Sequence, residues 1–191
     1  NELLIILPEP LIDQLSAHPL TAPLYITDIG KFPQAPKHFV NRPNGCQQYI
    51  IIYCHKGSGW FKLKGEEKRK VRAEQYFVIP AEQGHSYGTE STDSWTISWI
   101  HFSGEKASLF FDYLTGGIPG KTYSGENFNT ELAYELTLDL MLSCSFANAS
   151  RASLALWHLF GQIVFPNARK KGNDIENSVL YMHDNLKKNL S

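Results

Sequence analysis

The stretch QYFVIPAEQGHSYG, residues 75–88, decides the fold of this chain. Its first half, Gln75-Tyr-Phe-Val-Ile79, has the β-branched and aromatic composition of a strand in a packed sheet. Pro80 and Gly84 then turn the chain. The turn delivers the side chains of His85 and Tyr87 at a fixed place. Working outward, residues 95–102 (WTISWIHF) alternate, with Trp95, Ile97 and Trp99 on one face and Thr96, Ser98 and Ile100 on the other. Residues 49–56 (YIIIYCHK) read as another strand, and Gly57-Ser-Gly59 as a turn into residues 60–64. There Trp60, Lys62 and Lys64 face one way and Phe61 and Leu63 the other. The charged run 64–70 (KGEEKRK) mixes both signs and reads as a solvated hairpin tip rather than a nucleic-acid patch. Short strands at regular spacing from about residue 24 to 102 predict a sandwich or barrel, not βαβ units.

After residue 102 the period changes from two to about 3.6. Residues 106–114 predict a short helix, stopped by Gly116, Gly117 and Pro119. Phe128, Leu132, Leu136 and Leu140 form a stripe that predicts a second helix over 129–142. Residues 152–165 are apolar nearly all round, interrupted by His158 and Gln162. Such a helix needs cover on two sides: the barrel on one, and on the other a second copy, contacted through Leu154, Trp157, His158 and Phe165. Residues 166–173 are polar and basic, contain Pro166 and Gly172, and read as a linker. Asn173 and Glu176 then open a helix over 174–191 with Ile175, Val179, Met182, Leu186 and Leu190 on its apolar face.

At 191 residues and 42% hydrophobic, the chain can bury one sizeable core. Its net charge of −1 argues against a tight grip on a phosphate backbone by this segment alone. Three cysteines without a Cys-x-x-Cys pair suit reduced thiols in the cytoplasm, with neither a disulfide framework nor a zinc site. The apolar run 3–7 is too short for a membrane span. No Gly-x-Ser-x-Gly elbow or Gly-x-x-x-x-Gly-Lys loop is present, so no catalytic residue is assigned. His85 reads as a hydrogen-bonded residue of the turn. No His-x-His pair stands upstream to complete a metal site, so neither metal nor cofactor is expected.

In order and spacing, Asn41-Arg-Pro-Asn-Gly45, residues 75–88 and residues 95–102 resemble the sensor domain of bacterial transcription regulators of the AraC type. The resemblance covers approximately residues 20–190. It implies a mainly β fold with C-terminal helices (α+β): a cupin-like, jelly-roll barrel over about 21–104, followed by helices over about 105–165 that serve dimerisation. Residues 1–20 would be an N-terminal arm, with 3–7 as an apolar lid. The helix over 174–191 would open a truncated helix-turn-helix domain, through which alone the homodimer would bind DNA. The implied ligand is a small-molecule effector, often a sugar. Arg42, Tyr87 and Trp99 fall where sugar-contacting residues lie in arabinose-binding members, and Trp95 matches a Trp of the motif. Ile97 stands where those members have a sugar-contacting His, which makes this pocket more apolar. His85 completes the candidate set. Two other readings remain open: a small cupin-type sugar isomerase or epimerase with His85 and Tyr87 as acid and base, and a dimerisation module whose pocket is packed core.

Overall fold

Strand β4 (Tyr49–Leu63) organises the molecule because one strand serves two walls. Its first half pairs with β6 (Gln75–Ile79) and β8 (Ser94–Ser103), and its second half with β5 (Arg69–Arg72) and β7 (His85–Gly88). Residues 57–59 therefore do not end a strand, as their glycines predict; they bend one. Gly57 lies at φ +78°, and a Cβ there would sit 2.0 Å from the Ser94 carbonyl oxygen. Gly57→Val is accordingly expected to lower unfolding free energy by about 2 kcal/mol or more, read as a shifted urea midpoint.

The computed structural model describes residues 2–90, 93–125, 137–138 and 141–165. One wall runs β1 (Leu3–Ile6), β2 (Tyr25–Pro36), β8, β4, β6, β9 (Tyr123–Ser124), all antiparallel. The other is built from β3 (Phe39–Arg42), β7, the second half of β4, and β5. The charged run is only partly a tip: its second half continues into β5, anchored by the fully buried Val71.

Alternation along the strands separates two cores. Ile50, Ile52, Cys54, Phe61, Phe77, Ile97 and Trp95 fill the space between the walls, where Phe61 and Phe77 stack with ring centroids 4.3 Å apart. Ile29, Ile51, Val78, Ile100 and Phe102 face outward and are covered by helices. Helix α2 (Ala107–Thr115) ends where expected, with Gly116 in the left-handed conformation that lets the chain leave. Helix α3 (Phe146–Val164) starts earlier than its apolar run. Ser145 caps it by accepting a hydrogen bond from the Asn148 amide, and Ala149 already packs in the core. Ala152, Leu156, Leu159 and Phe160 are buried on one side of α3, while Leu154 (47%) and Phe165 (77%) are exposed.

Residues 3–6 are a strand in which Leu4 stands opposite Gly30 and Ile6 opposite Asp28, on the inner face of the wall. β1 lies along the edge of β2, and Ile5 and Leu7 join the helix-side core together with Leu15 of α1 (Glu9–Ala17). Of the helix expected over 129–142, Thr137, Leu138 and Met141 are helical and the stripe residues lie outside the described residues. The linker over 166–173 and the helix over 174–191 also lie outside them. Among the described residues no helix is long and apolar enough to cross a membrane.

Candidate effector site

Strand register brings the chemistry to one end of the barrel interior. Residues directly opposite in an antiparallel pair share a face. On the first wall Asp28 pairs with His101, Gly30 with Trp99 and Phe32 with Ile97. On the second, Arg42 pairs with His85 and Val40 with Tyr87, while Leu63 and Phe61 flank the same two residues from β4. The inner face thus carries Asp28, Arg42, His85, Tyr87, Trp99 and His101 towards one end and Trp95 towards the other.

Asp28 reaches the interior through a bulge. The register between β2 and β8 shifts between Ile26 and Asp28, so Thr27 is the extra residue and the parity of the strand reverses. Ile26 packs in the helix-side core, yet Asp28, two residues on, faces inward. Its Oδ2 accepts from the Thr27 hydroxyl at 2.6 Å and lies 3.4 Å from His101 Nδ1. Burial pushes the Asp28 carboxyl up, but the hydrogen bond and charge of His101, the Thr27 hydroxyl and the Arg42 charge outweigh it. The group therefore sits below the ordinary carboxylate range.

Trp99 lies flat over Gly30: a Cβ on that glycine would be 2.2 Å from the indole Cζ2. The close approach exists because residue 30 lacks a side chain. Trp95 has a different setting. It is 1% exposed, its Nε1 donates to His38 Nδ1 at 3.2 Å, and its ring lies against Gly59. Ile97 contributes an apolar, fully enclosed surface between the two indoles.

His85 is a strand residue rather than a turn residue, and it is 3% exposed. Its Nδ1 is 2.8 Å from the Gln83 carbonyl oxygen, which can only accept, so Nδ1 carries the proton. Burial lowers the pKa of the ring; the Gln83 carbonyl pulls it up, and the charges of Arg42 and His101 press it down. The neutral ring then presents a bare lone pair at Nε2, which is buried without a hydrogen-bond partner among the described residues. A buried polar atom in that condition is costly unless something completes it. Beside it, Tyr87 stacks parallel to His85 with centroids 6.1 Å apart, and burial pushes its hydroxyl up to about 12 against the pull of Arg42. The half-buried Arg42 sits 3.8 Å from Cys46 Sγ through Nη1.

The lowered histidine carries a pH prediction. His85 binds its proton more weakly folded than unfolded, so its contribution is intact above the unfolded pKa near 6.5 and is lost as pH falls below that value. Unfolding free energy is expected to drop between pH 7 and 5, and to drop less in His85→Gln, measured by urea titration at each pH.

The six residues expected at the site lie on the inner face: Arg42, His85 and Tyr87 on one wall, Trp99 and Ile97 on the facing wall, and Trp95 towards the packed end. Asp28 and His101 were not anticipated. His101 continues the alternation of Trp95, Ile97 and Trp99 and could have been found that way. Among the described residues, no three His, Cys, Asp or Glu groups are placed to hold a metal ion.

The barrel interior is packed at the Trp95 end and carries Asp28, Arg42, His85, Tyr87, Trp99 and His101 towards the other. Residues 29–183 match the model of the AraC-like ligand binding domain, and the chain belongs to that family. It is 30% identical over 105 residues to the MmsAB operon regulatory protein of Pseudomonas aeruginosa, an alignment covering 53% of this chain and 34% of that protein. The chain thus spans about a third of that relative's length. Similar solved structures include a cupin superfamily protein from Desulfitobacterium hafniense, at 12% identity and TM-score 0.35, covering 53% of this chain and 76% of that one. Another is the cupin domain of an XRE family transcriptional regulator from Enterobacter cloacae, at 19% identity and TM-score 0.35, covering 52% and 95%. The fold is mainly β, with helices after the barrel.

Proposed function

We propose that this chain is the effector-binding and dimerisation module of an AraC-type transcription regulator, working in the cytoplasm and sensing a sugar or a closely related small molecule. The observation that carries this reading is the buried Nε2 of His85, without a hydrogen-bond partner among the described residues, on the strand pair that also carries Arg42 and Tyr87 and across the barrel from the wall of Trp99. Sugars combine C–H faces that lie on an indole with hydroxyls that pair with a planar donor such as guanidinium. Binding would shift the presentation of a C-terminal helix-turn-helix domain by a coupling of about 1–3 kcal/mol. Acid–base catalysis by His85 and Tyr87 is poorly served, because burial disfavours the charged form of both side chains.

A thermal-shift screen against mono- and oligosaccharides tests the reading. A ligand bound only by the native state adds about 2.7 kcal/mol at a hundredfold excess over its dissociation constant. One clear shift supports a sugar effector; a flat screen removes that class.

Dimerisation is assigned to the exposed side of α3. Leu154, Trp157 and Phe165 are exposed there, and His158 is tied to Gln162 at 3.0 Å. Leu154→Glu is expected to convert a dimer to a monomer in sedimentation velocity without lowering the melting temperature of the barrel. A dimer that persists at micromolar concentration would place the interface elsewhere.

A further inference from the structure

The outer face of the second wall carries a pattern that the effector site does not use. Along the second half of β4, Trp60 and Lys62 point outward where Phe61 and Leu63 point into the barrel. Register across the sheet sets Phe39, Gly88, Trp60 and Lys70 in one row. On one side of that row Ser58 stands opposite Arg72, and on the other Ser86 stands opposite Lys62. Gly88 has no side chain, so Phe39 and Trp60 meet above it with ring centroids 6.1 Å apart. Phe39 is 62% exposed. An open hollow of about 270 Å³ among Asn41, Lys62, Lys64 and Ser86 lies to one side of the rings. Another, of about 500 Å³, lies among Ser58, Lys70, Arg72 and Asp93 to the other side.

Lys62, Lys64, Lys70 and Arg72 are exposed and make no ion pair among the described residues. The acids near them are engaged or set apart. Glu90 pairs with Lys68, Asp93 accepts from the Ser58 hydroxyl, Glu66 lies against Gly120, and Glu67 stands at the hairpin tip. In a chain of net charge −1, this concentrates a positive field on one side of an exposed aromatic pair. The spacing then limits what fits. Outward residues of β4 recur about every 6.8 Å, and so do same-face side chains of any extended peptide. Arg72 stands at the level of Ser58, the rings one step along at Trp60, and Lys62 one step further. An extended segment with an acid, a large apolar residue and an acid at alternate positions meets all three. A nucleic-acid strand is served less well. Its bases would need open ring faces to stack on, but the Lys68 ammonium lies 4.0 Å from the Trp60 ring centroid and Phe39 leans on the same indole.

We propose that the outer face of β3, β7, β4 and β5 is a docking surface for an extended acidic segment of a partner protein. One acid of that segment pairs with Arg72 and Lys70, the other with Lys62 and Lys64, and the apolar side chain between them packs on Phe39 and Trp60. The surface lies on the opposite side of the wall from the effector site, so it stands or falls independently of that reading.

The test uses the intact chain and the synthetic peptide acetyl-Gly-Asp-Ser-Leu-Ser-Asp-Gly-amide, read by calorimetry and by amide-resolved NMR. Saturable binding is expected, with shifts confined to amides of residues 58–62, 70–72 and 86–88, and weakening as salt is raised. Affinity should fall by about tenfold in the double variant Lys62→Glu, Arg72→Glu, and by a similar factor when serine replaces the peptide's leucine. Both substituted side chains are exposed, so the urea midpoint should stay unchanged and lost binding cannot be read as lost folding. No saturation at millimolar peptide, full binding by the double variant, or shifts elsewhere in the chain overturns the proposal. Tighter binding of a short oligothymidylate through the same amides also overturns it, and assigns the face to single-stranded nucleic acid instead.

Discussion

Trp95→Ala is expected to lower the free energy of unfolding by about 3–5 kcal/mol, read as a shift of the urea midpoint at constant slope. Trp95 is among the largest fully buried side chains. Its ring fills the space left by Gly59, where a Cβ would stand 2.3 Å from Cε3, and the glycine has no side chain to occupy the vacancy. The substitution also strands His38 Nδ1, which now accepts the indole proton at 3.2 Å, in a half-buried site. Loss of packing and loss of the partner act together and both oppose folding. Trp95→Phe keeps most of the apolar volume and should cost about half as much. A cost below about 1 kcal/mol for the alanine variant would mean that the dry end of the barrel is not packed as described.

Arg42→Ala is expected to weaken effector binding by on the order of ten- to a hundredfold while moving unfolding stability by less than about 1 kcal/mol. The asymmetry follows from its surroundings. Its guanidinium makes a long contact of 3.8 Å to the Cys46 sulfur, and the side chain is half-buried rather than enclosed. Little of the fold depends on it. A ligand hydroxyl or ring oxygen, in contrast, would receive a charge-assisted hydrogen bond from it. Arg42→Lys keeps the charge but loses the planar fork, and should recover only part of the affinity. Calorimetry with the sugar identified by thermal shift, alongside urea unfolding of the same variants, separates the two effects.

Much of this architecture was legible because alternation survives wherever a strand is straight. Residues 75–79 and 95–102 fall on the faces that their spacing predicts, and the inward set Trp95, Ile97 and Trp99 emerges from that rule alone. The rule fails at irregularities, since one inserted residue reverses every side chain beyond it. Thr27 is such a residue, and it concealed Asp28. Glycines misled in the other direction. Gly57 and Gly59 read as a turn, but their missing side chains make room for Ser94 and Trp95 from the neighbouring strand while β4 bends between walls. The early start of α3 had a weaker signal: Ser145 is a good cap, but Ala149 and Ala152 do not stand out as core residues until the wall they touch is known. His85 stood out from the start, whereas the state of its second nitrogen depends on Gln83, which backbone geometry alone brings to it.

The most direct test of the account is a crystal structure of the chain with the sugar that stabilises it. The sugar is expected at the polar end of the barrel, one face on the Trp99 indole, with a hydroxyl within about 3.2 Å of His85 Nε2 and an oxygen on the Arg42 guanidinium. A barrel end closed by its own side chains, with the sugar held outside on the helices or absent, would contradict it.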